Sequence, residues 1–185
     1  MNGKGMSRIN IDLNPITHIT VDAIGQPGER VFYLQGKTDS QVITLLVEKF
    51  QIQTLALAIE NLMVELQEKA PDLSEASPLY DEDGMILDPP LDPLFRVGEL
   101  SLGYEQEKDL LVLIAKEVST GMSDTDEEED LSEVRFWCTR SQLWAMGRWG
   151  IELASRGRPV WPSTGEPILP PGEFSPKNNG HKTTV

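Results

Sequence analysis

The chain of 185 residues holds a single cysteine, Cys138, and only two histidines, His18 and His181. One thiol cannot close an internal disulfide, which removes a disulfide-built extracellular fold and points to a cytoplasmic protein. Two histidines far apart in sequence, with no cysteine beside either, leave no legible metal pair or nucleophilic triad. No segment reaches the roughly 18 consecutive apolar residues of a membrane-spanning helix. The opening "MNGKGMSRINIDLNP" has positive charge but no apolar core, so no secretory signal is expected. Basic residues are also scarce, 16 against 30 acidic ones. Residues 71–135 alone carry 19 acidic and 4 basic side chains. Such a segment repels phosphate backbones and argues against general nucleic-acid binding. The basic end, with Arg140, Arg148, Arg156, Arg158 and Lys177, could still meet an anion or acidic partner, the alternative being an ordinary solvated surface.

Ile19, Val21 and Ala23 alternate with His18, Thr20 and Asp22, the two-residue period of a half-buried strand. "GQPGER" is turn chemistry, "RVFYLQG" reads as the returning strand, and "QVITLLVEK" as a third. From Gln51 to Lys69 the period lengthens. Ile52, Leu55, Ile59, Leu62 and Leu66 form one helical stripe, stopped by Pro71. Residues 71–94 hold too many turn formers for a regular element.

The order then recurs. "FRVGELSLGY" and "DLLVLIAKEVS" make a hairpin around "EQEKD", with the alternation slipping at Gly98, a sign of a bulge or close backbone approach. "EVRFWCT" is another strand and Ser141–Ser155 another helix, with Leu143, Met146, Gly150 and Leu153 inward. Gly147 and Gly150 each cost a helix about 1 kcal/mol relative to alanine, which points either to a close neighbour there, the other helix or a tail aromatic, or to a marginal helix rescued by tertiary contacts. The corner "EKFQIQTL" aligns with "TRSQLWAM", placing Gln51 beside Gln142 and Ile52 beside Leu143. The expectation is an α+β domain over 16–157. Two βββα units, about 16–70 and 94–157, form a largely antiparallel sheet or half-barrel packed by two helices. A Pro/Gly-rich extension, 158–185, follows.

Together, "GQPGERVFYLQGK", "VEKFQ", "FRVGELSLGY", a final helix, "GRPVWP" and "SPKNNGH" resemble an uncharacterised bacterial family, the domain of unknown function numbered three thousand and ninety. The resemblance runs from about His18 to His181. It implies a C-terminal knuckle of zinc-binding cysteines and histidine. Laid on this chain, those ligand positions fall on Trp161, Thr164, Glu173 and Ser175, while Pro162, Gly165, Pro170 and Gly172 keep the turn framework. Zinc requires four good donors, so the expectation here is a degenerate knuckle with no metal and no cofactor. Trp161, Phe174 and Ile168 would then be aromatic and apolar contacts or a partner interface, with a disordered tail as the alternative.

Candidate chemistry is thin. On alternation Cys138 shares a face with Val134 and Phe136, a core position more than a nucleophile's. "DEDG" at 81–84 lacks the later glutamate of a calcium loop. Arg30, Gln35, Glu48, Lys49 and Arg96 lie in the family-like blocks as a candidate binding patch, or as ion pairs within the sheet. With no catalytic set legible, the sequence favours a non-enzymatic binding or adaptor protein with a protein partner and no membrane attachment. The alternative is a small-molecule sensor or enzyme whose cleft lies between sheet and helices.

Overall fold

The computed structural model describes residues 8–26, 28–119 and 131–156. The strands are β1 (Asn10–Leu13), β2 (His18–Ile24), β3 (Val31–Lys37), β4 (Val42–Val47), β5 (Val97–Glu105), β6 (Leu110–Glu117) and β7 (Glu133–Cys138). The helices are α1 (Lys49–Lys69), after β4, and α2 (Arg140–Ser155), after β7. The two βββα units are therefore present, each an antiparallel three-strand meander leading into a helix.

The strands divide between two sheets, ordered β2-β3-β4 and β1-β7-β6-β5. The sequence reading missed β1, which pairs in parallel with β7 and makes the second sheet four-stranded. Four residues are too few for a period to be seen, and the pairing is long-range. Two seams stitch the sheets together. On one side the chain leaves β1 and Ile16 N–H donates to the Trp137 carbonyl at 3.0 Å before β2 begins. On the other, Leu94 N–H donates to Thr44 O (2.8 Å) and Leu46 N–H to Phe95 O (3.0 Å). A parallel bridge joins Leu46 to Arg96. The result is a half-barrel of two sheets that stops short of closing.

Gly36 shows how closely the sheets approach. A Cβ there would stand 2.4 Å from Cδ1 of Phe136, a fully buried ring of the other sheet. The bare backbone of β3 makes room for that ring. Gly98 does combine a register shift with a close approach, since its Cβ would lie 2.7 Å from Val118 Cα.

The helix stripes are hidden by the other helix as well as by the sheets. A Cβ on Gly147 would meet Ile59 Cδ1 at 3.2 Å, and one on Gly150 would meet Ile52 Cγ2 at 2.7 Å. Of the two neighbours expected for these glycines, the structure places α1 against both. Ile52, Ile59, Leu143 and Met146 join Leu34, Leu45, Leu113 and Phe136 in one apolar core.

The duplication extends to individual hydrogen bonds. Each helix begins with a capping box, Glu48 with Gln51 in α1 and Thr139 with Gln142 in α2. Each glutamine then reaches the start of the other unit's first strand. Gln51 Nε2 donates to Val97 O (3.0 Å), and Gln142 Nε2 donates to Thr17 O (3.1 Å). The aligned pair in the sequence is thus a reciprocal brace between the halves.

Candidate functional site

Residues 85–88 of the segment joining α1 to β5 lie over β2–β4 on the face opposite Ile19 and Val21, whereas residues 74–82 run along the helices. Thr20 Oγ1 donates to Met85 O at 2.7 Å. Gln35, 3 % exposed, donates through Nε2 to Thr44 Oγ1 (2.8 Å) and Asp88 O (2.9 Å), while its Oε1 accepts from Asp88 N (2.8 Å). Lys37 forms an ion pair with Asp88. Beside them, burial first and the Lys37 charge second hold the His18 imidazole below its ordinary pKa. Gln35 is therefore a clamp on the connecting segment.

The other candidate residues fall in separate places. Glu48, Lys49 and Arg96 come together at the start of α1, where Arg96 pairs with Glu48. Arg30 lies at the hairpin before β3, its Nε buried without a hydrogen-bond partner. Gln35 joins neither group. Trp161 and Phe174 lie outside the described residues. Cys138 is fully buried, and burial pushes its thiol far above the ordinary range, so it has no nucleophilic character.

Arg140, read from the sequence only as part of a basic end that could meet an anion or acidic partner, is the first residue of α2 and is engaged within the chain. It is 9 % exposed and grips Asp109 with two nitrogens, Nε to Oδ1 at 2.7 Å and Nη2 to Oδ2 at 2.9 Å. Nη2 also donates to Ser74 O at 2.7 Å, and Tyr104 donates its hydroxyl to Asp109. The Arg140 hydrogen bonds hold the Asp109 carboxyl below the usual carboxylate range. Next to this pair lies a cavity of about 460 Å³ containing Trp144, Met63, Leu73, Glu60 and Glu68. A larger groove of about 660 Å³ runs between α1, α2 and residues 78–82. Leu57, Leu79 and Ile151 line it and are 62 %, 84 % and 48 % exposed. Its rim carries the Glu60–Arg148 pair (3.5 Å) and Arg156 bonded to Glu82 and Glu152. The Arg156 guanidinium also sits 5.1 Å from the Trp149 ring centre, against which Tyr80 packs edge-on.

Leu57 and Ile151 were visible as apolar residues off the inward stripes, the one signal that could have located this groove. Among the described residues no group of three or more His, Cys, Asp or Glu side chains could hold a metal ion. No described helix is long and apolar enough to cross a membrane.

An α+β half-barrel of two braced βββα units defines a class by fold alone. The chain belongs to the family described as protein of unknown function (DUF3090), whose model matches residues 11–175. No curated protein and no solved structure matches it.

Proposed function

We propose that the protein is a non-catalytic binding or adaptor protein of the cytoplasm that receives an apolar, basic-flanked segment of a protein partner in the α1–α2 groove. The observation that carries this reading is the placement of Leu57, Leu79 and Ile151 along one groove with much of their surface in water. Burying exposed aliphatic surface contributes about 25 cal/mol per Å², and contiguous exposed apolar surface marks interaction sites. Charge supplies the flanks. Glu60, Glu82 and Glu152 line the groove against Arg148 and the rim's Arg156, which pair with them and leave one negative charge in excess, on a chain of net charge −14. A basic partner is steered there and an acidic one is repelled.

The test is native mass spectrometry of protein purified from its own host, beside a Leu79→Asp/Ile151→Asp variant of matched helicity. A stoichiometric partner held by the parent chain and lost from the variant is expected. A partner retained equally by both, or none on the parent chain, ends the proposal. The same spectra report metal: stoichiometric zinc would overturn the expectation that Trp161, Thr164, Glu173 and Ser175 cannot coordinate it.

A further inference from the structure

The two halves differ where each helix faces the first strand of a meander. Trp149 of α2 is 6 % exposed, and its Nε1–H donates to the Val21 carbonyl of β2 at 2.7 Å. The ring fills the space between helix and strand. Counting from the N-caps Glu48 and Thr139, the residue of α1 at the place of Trp149 is Ala58, which is exposed. Strand register gives the counterpart of Val21. Phe32 and Leu111 pair with the residues just before the two N-caps, Val47 and Cys138. Two positions on, Leu34 pairs with Val21 and Leu113 with Leu102. Ala58 and Leu102 both line a cleft of about 300 Å³ between α1 and β5, with Phe50, Leu55 and Leu100 as further apolar wall. Four inward positions of the helix register agree in burial: Ile52, Leu55, Ala56 and Ile59 are buried, as are Leu143, Met146, Gly147 and Gly150, whereas Thr54 on the cleft side is exposed where Ala145 is buried. The cleft is therefore the space left where one half has alanine and the other tryptophan.

We propose that this cleft is a binding site for a free indole-type molecule, a flat aromatic with an N–H donor, neutral or bearing an ammonium group. Its ring lies where the Trp149 ring lies in the other half, and its N–H is taken by the Leu102 carbonyl. The size suits a small aromatic at the lower end of ligand pockets. The charge selects among indoles. Glu99 is the one charged residue lining the cleft, so a cationic substituent is favoured and a carboxylate is disfavoured. This inference does not depend on the partner groove between the helices.

Calorimetric titration of the full chain with indole, tryptamine and indole-3-acetate tests it. Saturable one-to-one binding is expected for indole and tryptamine, with tryptamine tighter by roughly threefold and indole-3-acetate weaker than both. Ala58→Trp fills the cleft from within and should abolish binding while the chain stays folded. Should that variant not fold, Glu99→Gln decides: tryptamine must lose its advantage over indole. Absence of saturable binding to the full chain, unchanged binding in a folded Ala58→Trp, or an undiminished tryptamine preference in Glu99→Gln overturns the proposal. Binding that emerges only in Trp161→Ala also overturns it, because the occupant is then the chain's own tryptophan.

Discussion

At Gly36 the absence of a side chain is what lets Phe136 reach the centre of the core. Gly36→Ala places a methyl group 2.4 Å from a fully buried ring on another sheet, and neither backbone can withdraw without disturbing its ladder. Overpacking of this kind costs about 1–3 kcal/mol. Chemical denaturation should show that loss. A double variant, Gly36→Ala/Phe136→Leu, should be less destabilised than the two single losses added together. Additive losses would mean that the ring and the glycine are not coupled. Cys138 was readable from alternation because Val134, Phe136 and Cys138 all turn inward on β7. Arg140 was not readable. Its meaning comes from Asp109 and Ser74, far away in sequence, and the residue itself looks like any basic residue in a first helical turn.

The two helix starts belong to the scale of elements. Removing the side-chain amide in Gln142→Ala takes away a capping bond to Thr139 N–H and the brace to Thr17 O together. Gln51→Ala does the same to Glu48 N–H and Val97 O. Each should cost about 1 kcal/mol, the usual range for losing a cap. Hydrogen exchange should report faster opening in the first strand of the opposite half as well as in the helix. A change confined to the mutated helix would show that the brace has no weight. The βββα order was legible from changes of period, and the residue pattern at the corners already paired Gln51 with Gln142. The division into two sheets was not legible. Antiparallel meanders announce their internal pairing through turns, whereas the seams are one backbone bond at Ile16 and two at Leu94 and Leu46, between segments distant in sequence.

Across the whole molecule, acid acts on three groups among the described residues whose folded pKa values are depressed. They are His18 and, lower down, Asp109 and the exposed Glu82, which Arg156 holds through its hydrogen bonds. For His18 the unfolded chain takes up its proton first, so stability falls as pH drops below the ordinary histidine value and toward the folded one. For Asp109 the same sign applies lower, below the ordinary carboxylate value, as the grip of Arg140 is lost. Stability measured against pH should therefore decline in two steps on acidification. Asp109→Asn suits the positive φ of 49° at that turn and should shrink the lower contribution, leaving the part due to Glu82, while the upper one is unchanged. An unchanged profile would show that the Arg140 pair does not set acid sensitivity. Asp109 joins the β5–β6 turn to α2, and Arg140 extends the tie to Ser74 in the connecting segment, so this one contact links three distant stretches of chain.

The crossed glutamines also carry an architectural consequence. A lone βββα unit with such a glutamine would own both the hand and the wrist of the grip, so two identical copies could clasp one another about a twofold axis. In this chain the clasp is intramolecular. Two first units joined in tandem should keep both handholds, while a solitary unit should need a twin.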